Sequence, residues 1–255
     1  MSNDPIEEIK NMMKPLIKKA AKMNLKRKEK IPEGTELQSH FGGQPYFEKG
    51  ENWPKAKNGN NLVFVFQAFN DGNMGLPENI KLIQFYYDFD AWEHAWFTKD
   101  DGWLVKVYET LNRENIIFIK KPPEYFHRWK IHKPDEKEDW NWIPYCEIEF
   151  KPILSLPNED FIDEYDEKKA LTLETPYNYN EIAQELIGYD FYVYFSQIGG
   201  YPQWIQSGIE LKKNYDFLFQ IDSEDEAGIM WSDCGMVHVF YNSKTKQFIF
   251  EKECY

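Results

Sequence analysis

The residues best equipped for chemistry lie in the last quarter of the chain. Asp222-Ser223-Glu224-Asp225-Glu226-Ala227 leads to Asp233, Cys234 and His238. Numbered as a calcium loop, carboxylates fall at positions 1, 3 and 5 and Asp233 falls at position 12. Such a loop needs glycine at position 6, where Ala227 stands, and glutamate at position 12. Strand-like runs flank the segment, so it reads as an acidic loop that stays soluble and resists edge pairing. Asp233, Cys234 and His238 invite a cysteine-nucleophile reading. Residues four apart on a strand lie about 13 Å apart, beyond hydrogen-bond reach. Cys234 is therefore expected to be a small buried apolar residue. His127 and His132, five apart, face opposite ways on a strand. The HExxH, GxSxG, P-loop and GxGxxG patterns are absent. No catalytic residue, metal ligand or cofactor is assigned.

Two glutamines are more suggestive because their surroundings recur. Gly42-Gly43-Gln44-Pro45 is followed at a distance by Phe66-Gln67, and Gly199-Gly200-Tyr201-Pro202 by Phe219-Gln220. Gly-Gly-x-Pro makes a sharp turn that feeds an extended segment. A buried amide must be hydrogen-bonded, so each glutamine is expected to tie its own turn to its strand. The other reading has Gln67 and Gln220 facing a shared groove that binds a ligand. Trp53, Trp204 and Trp231, close to the same turns, could form a stacking platform or simply fill the core.

The elements that must carry these residues are mostly strands. Runs at 62–69, 80–87 and 103–108 are echoed in order at 215–221, 235–241 and 247–251. Residues 62–69 are almost continuously apolar, which predicts cover on both faces. Residues 146–150 add an alternating strand. Matched order predicts an internal duplication about a pseudo-two-fold axis, and two copies are too few for a solenoid. Helical spacing of Ile6, Ile9, Met13, Leu16, Ile17, Ala20 and Met23 predicts a basic amphipathic helical segment over 1–30. Asp4 would cap it, and Pro15 would kink or split it. A second helix is expected from about Asn178 or Asn180 toward Tyr194. The fold class is α+β: a twisted, mainly antiparallel sheet with an N-terminal and a central helix. Residues 31–150 form one repeat unit with insertions. Residues 151–255 form a connecting segment and the second unit, and both units share one globular domain.

Composition supports this frame. Aromatic residues make up 17% of 255 and favour pleated strands. Three cysteines without a CxxC spacing fit a reducing compartment. The net charge of −13 is uneven. Residues 1–30 carry nine basic residues against four acids, so the body is more acidic than the whole. Such a body repels phosphate backbones, which argues against nucleic acid, and attracts basic partners. Charges run through residues 6–30, unlike a signal peptide, and no apolar run would span a bilayer. A cytoplasmic location is expected.

Phe41-Gly42-Gly43-Gln44-Pro45, Phe66-Gln67, Ile198 to Gln206, Phe217 to Asp222 and Met230-Trp231-Ser232-Asp233-Cys234-Gly235 resemble the YwqG-like family of bacterial proteins. Ser232 departs from the glycine more usual there. The resemblance implies a mixed α/β protein with internal duplication and a bacterial cytosolic setting, and supplies no activity. An association of some relatives with polymorphic toxin systems implies an immunity-type role. Three functions are therefore expected, in this order. The first is a non-catalytic protein-binding module, with an immunity-type partner of a basic toxin as its narrower form. The second is a small-ligand or carbohydrate binder using Trp204, Trp231, Gln67 and Gln220 in a cleft between the repeats. The third is an enzyme centred on Asp222, Asp233 and His238.

Overall fold

The computed structural model describes residues 5–89, 101–119, 123, 143–158, 179–206, 208 and 214–255. The expected cap Asp4, His127 and His132 lie outside these residues.

The N-terminal helix is shorter than its apolar spacing predicts. Helix α1 spans Pro5–Met13, and a single 3-10 turn, Lys14–Leu16, follows. Pro15 lacks an N–H to donate to the carbonyl four residues earlier, so the α-helix stops there and gives way to the 3-10 turn, with Ile17 already extended. The expected continuation toward Lys30 is instead strand β1, Lys18–Arg27. Ala21, Met23 and Leu25 alternate along it and join the main core. Pairing partners on both sides override the helical propensity of its alanines and lysines.

The other strands are β2 (His40–Phe41), β3 (Val63–Phe69), β4 (Leu82–Tyr87), β5 (Trp103–Tyr108), β6 (Cys146–Ser155), β7 (Gln197–Gly199), β8 (Asp216–Asp222), β9 (Met236–Asn242) and β10 (Gln247–Glu253). They form one sheet in the order β10-β9-β8-β7-β1-β6-β2-β3-β4-β5, every neighbour antiparallel. The middle pair, β1 and β6, runs in register from Lys18↔Ser155 to Arg27↔Cys146. A wing of four strands extends from each side.

The sheet curls until the two wings meet face to face. Phe66 and Phe219 rings lie 4.9 Å apart, and Trp103 stacks on Phe250 at 5.1 Å. A β-bulge in each inner strand, between Phe64 and Phe66 and between Phe217 and Phe219, helps fill the space. Each turns two successive residues, Val65-Phe66 and Leu218-Phe219, into the core. The outer faces are covered too, by Phe47, Leu62, Phe64 and Tyr86 on one wing and by Trp204, Phe217 and Phe240 on the other. This double cover explains the near-continuous apolar sequence of β3.

Helix α2, Tyr179–Ile187, packs Ile182, Ala183 and Ile187 against Ile9, Met13 and Leu16 of the N-terminal segment. It stops short of the expected Tyr194 because Gly188 takes a left-handed φ of 85°. The Gly188 N–H caps the Gln184 carbonyl. The fold class is thus α+β-like, dominated by antiparallel sheet, with two short α-helices among the described residues.

Gly199 and Gly228 have similar positive φ, 67° and 63°, but different surroundings. A Cβ on Gly199 would stand 2.1 Å from the Met74 carbonyl oxygen, whereas one on Gly228 would meet nothing within 4 Å. Urea unfolding should separate the two. Gly228→Ala is expected to cost about 1 kcal/mol of backbone strain. Gly199→Ala is expected to cost well over about 2 kcal/mol, because backbone must move as well.

Candidate functional site

Gln67 is fully buried on β3, and all of its polar capacity is used. Its Oε1 accepts the Tyr46 N–H at 2.8 Å, and its Nε2 donates to the Gln38 carbonyl at 2.7 Å and the Glu36 carbonyl at 3.1 Å. Gln84, opposite on β4, donates from Nε2 to the Tyr46 carbonyl at 2.7 Å and to Gln67 Oε1 at 3.1 Å. The segment after Gly42-Gly43-Gln44-Pro45 is thereby stitched onto the outer face of its wing.

Gln220 does the same work on the other wing. Its Oε1 accepts the Gln203 N–H at 2.8 Å, and its Nε2 donates to the Phe195 carbonyl and to Gln203 Oε1, both at 2.8 Å. His238, opposite on β9, sits 2.8 Å through Nε2 from the Gln203 carbonyl. That contact requires a proton on Nε2. Burial pulls the ring down to about 4, so it is neutral.

Phe66 and Phe219 point into the shared core, and neighbours on a strand face opposite ways. Gln67 and Gln220 therefore point away from each other, to separate outer faces. The groove expected at their convergence does not form around them.

The tryptophans fill the interior rather than a platform. Trp204 is 5% exposed and lies against His238 at 4.5 Å and Phe240 at 5.9 Å. Trp231 is 2% exposed, stacks on Phe89, and donates its indole N–H to the Asp222 carbonyl at 3.1 Å. Neither offers a ring face to a ligand. Trp53 lies over Phe47 at 5.7 Å and donates to the Leu62 carbonyl.

The acidic loop spreads its carboxylates among different partners. Asp222 accepts the Ser223 N–H, Glu226 accepts the Arg27 N–H, and Glu224 accepts the Ser196 hydroxyl proton. Among the described residues no three of His, Cys, Asp and Glu gather as a metal-holding group. Asp233 and Cys234 are exposed in a turn, whereas His238 has no exposed surface. Cys234 is thus not the buried apolar residue expected. The strand starts only at Met236, and Cys234 takes a left-handed φ of 48° outside it.

Glu224 has the most displaced acid in this region. Burial pushes it up to about 7 from 4.5, against the Ser196 hydrogen bond. Burial also raises Asp222.

The arrangement that sequence reasoning missed is an open cleft of about 560 Å³ beside the edge strand β5. Glu48 and Glu51 reach it from the segment after the first Gly-Gly-x-Pro turn. Tyr108 and Glu109 come from the end of β5, and Tyr241 and Lys246 from the β9–β10 hairpin. Tyr108 donates its hydroxyl proton to Glu51 at 2.9 Å, and Lys106 pairs with the same carboxylate at 2.8 Å. The Lys106 ammonium also lies 4.3 Å from the Phe47 ring centre. Burial draws Lys106 below its usual range while Glu51 opposes this. Burial first, and then Glu51, holds the Tyr108 phenol protonated well above its ordinary value. Glu48 Oε1 accepts the Tyr46 hydroxyl at 2.6 Å and the Asn112 N–H at 2.9 Å. Across the mouth, Lys246 pairs with Glu109 and lies over the Tyr241 ring. The chemistry is that of a cation seat: carboxylates, phenol oxygen and ring faces, with two internal ammonium groups, Lys106 and Lys246, already in place. Glu48 and Glu51, three apart after a repeated turn, were the only local hint.

Glu224 also sets a pH dependence. Over the window from 4.5 to about 7 the folded chain keeps this proton while the unfolded chain releases it. Its contribution therefore falls as pH rises through that window and is flat above it. Glu224→Gln should raise stability at pH 8 by on the order of 2 kcal/mol, with the gain vanishing toward pH 4.5. Urea midpoints of both proteins across this range check it.

A comparison with curated proteins finds no match. A family model described as a domain of unknown function, DUF1963, matches residues 39–252, from the strand before the first Gly-Gly-x-Pro turn to the last strand. That span contains both glutamine-tied wings and the cleft, and the chain belongs to the DUF1963 family.

Proposed function

We propose that this protein is a non-catalytic binding module whose acidic cleft receives a cationic group from a basic protein partner. The observation that carries the reading is the cleft beside β5. Three carboxylates, Glu48, Glu51 and Glu109, reach one opening walled by Tyr108 and Tyr241. The Lys246 ammonium against Glu109 is an internal example of the group such a seat accepts. A net charge of −13 would steer a basic partner toward it. A YwqG-like, bacterial and cytoplasmic setting, with an immunity-type role, is compatible with this chemistry. A small amine-bearing ligand is the second reading for the same cleft. The carbohydrate version loses its support because Trp204 and Trp231 are buried.

We also infer that the two wings descend from one duplicated unit. Equivalent bonds support this: Tyr46 N–H to Gln67 and Gln203 N–H to Gln220, both 2.8 Å. Phe69 N–H to Ser39 at 2.9 Å likewise matches Asp222 N–H to Ser196 at 3.0 Å. The two bulges fall at corresponding places. The copies come together as one sheet through β1 and β6.

Two experiments test these readings. Gln67→Leu and Gln220→Leu should each lose on the order of 3 kcal/mol in urea unfolding, since each strands a backbone N–H and at least one carbonyl. A near-neutral result for either would remove its role as a structural tie. For binding, affinity capture at low and high salt, read by mass spectrometry, would compare the natural protein with a Glu48→Gln, Glu109→Gln double variant. A basic protein held at low salt, reduced at high salt and lost by the variant is expected. Retention by the variant, or indifference to salt, would overturn the reading.

A further inference from the structure

Building on the reading of the cleft as a cation seat, we propose that its basic partner arrives as an extended strand, paired edge to edge with β5. β5 ends the sheet, with β4 on one side only. Its open side follows from the register. Tyr87 stands opposite Trp103, so Asp88 stands opposite Gly102, and the Asp88 N–H donates to the Gly102 carbonyl at 2.7 Å. Antiparallel pairs alternate between bonded and non-bonded. Leu104, Lys106 and Tyr108 therefore turn their backbone groups toward β4. The Lys81 N–H, which donates to the Tyr108 carbonyl at 2.8 Å, agrees. The N–H and C=O groups of Val105 and Val107 point the other way, to the open edge. No hydrogen bond to them is made among the described residues.

The cleft runs along that same edge, and four successive residues, Val107 to Thr110, line it. Scattered side chains would suit a small amine, whereas a run of consecutive positions at a free edge suits a chain laid alongside. Natural edges are often blunted by a free lysine. The lysine of β5 gives no such cover, because Glu51 holds Lys106 at 2.8 Å.

The two faces of the edge define what the added strand carries. Lys106 and Tyr108 turn to the outer face, where Glu51 holds both and Glu48 stands at the cleft. Val105 and Val107 turn to the core face. There Phe248 stacks on Tyr241 at 4.8 Å, and both rings line the cleft. Successive side chains of an added strand alternate in the same way. One set meets carboxylates, and the other meets aromatic rings. The fitting partner is an extended basic segment in which lysine or arginine alternates with apolar residues. Glu109, at the rim and already paired with Lys246, extends the charge complement.

The test titrates the full chain at low salt with a short capped peptide of alternating lysine and valine. Two derivatives carry backbone N-methyl groups, one at every lysine and the other at every valine. Only one alternate set of peptide N–H groups faces β5. One derivative should therefore bind about tenfold more weakly or worse, while the other matches the parent. Hydrogen exchange of the Val105 and Val107 amides should slow when the parent binds. Val107→Pro removes an outward N–H at an edge that tolerates proline, and should weaken the parent similarly with circular dichroism unchanged. The methylated peptides carry the test without that variant should it fail to fold. Equal affinity of all three peptides, unslowed amides, or no binding would each overturn the strand. Binding that ignores methylation yet is lost by the Glu48→Gln, Glu109→Gln variant would overturn the strand and leave the cation seat. Binding that follows methylation but ignores that variant would keep the strand and remove the seat. The same amides slowed in a dimer without peptide would name a second copy as the occupant and overturn the proposal.

Discussion

The ladder between β1 and β6 is the constraint on which the rest depends. Ten residue pairs in unbroken antiparallel register, Lys18↔Ser155 to Arg27↔Cys146, join two wings that otherwise have separate local connections. Each wing attaches to it through a very short strand, β2 on β6 and β7 on β1. Those junctions are where the glycine turns lie. Ala20 and Ala21 sit opposite Gly199 and Ile198, and a Cβ on Gly200 would come within 2.9 Å of Ala20 Cβ. Small residues on both sides let the chain leave the sheet sharply and return over its outer face. The curl that brings Phe66 against Phe219 follows from both wings bending the same way from one central pair.

The same register positions then diverge in chemistry. Lys106 stands opposite Gln84, and Glu251 stands opposite His238. Two residues on, Tyr108 and Glu253 occupy matching places. Tyr108 donates to a carboxylate supplied by the covering segment, Glu51. Glu253 instead accepts backbone N–H groups of Ile205 and Gly208. In the second wing the strap therefore closes directly onto the strand. In the first, two side chains span the gap, and the opening beside β5 persists. The two wings thus differ at this point: one strap meets its strand through backbone N–H groups, the other through the side chains of Glu51 and Tyr108.

The legible parts of the sequence were those with a short-range signature. The strands β3, β4, β8 and β9 read clearly because burial on both faces leaves few polar positions. Gln67 and Gln220 stood out because a buried amide interrupts such runs. Their role as ties was readable from the recurring turn, whereas their direction was not, since it depends on which strand face meets the other wing. β1 was misread because Lys, Ala and Met favour helix, and its partner strand β6 lies more than a hundred residues away. Trp204 and Trp231 stood open between platform and core because proximity in sequence to a turn says nothing of cover by Phe240 or Phe89. The cleft was invisible for the same reason: Glu51, Tyr108 and Lys246 come from three distant segments.

The state of the cleft's groups bears on the choice, in the proposed reading, between binding and catalysis. A general base needs a lone pair that a substrate proton can reach, and a nucleophile needs activation. Glu51 already serves Tyr108, Lys106 and the Glu48 N–H. The Tyr108 phenol is held protonated, the opposite of an activated oxygen. His238, the nearest thing to a base in the corresponding wing, is neutral and has no exposed surface. What remains available at the cleft mouth is the exchangeable ion pair of Lys246 and Glu109, both solvent-exposed. Swapping one ammonium for another there leaves the paired network behind it intact and costs little, because exposed ion pairs are individually weak. In the proposed seat, affinity then comes from the Glu48 and Glu109 carboxylates together with the rings, while the charge of the whole body steers approach. An arrangement of this kind favours recognition of a cationic side chain over its chemical conversion.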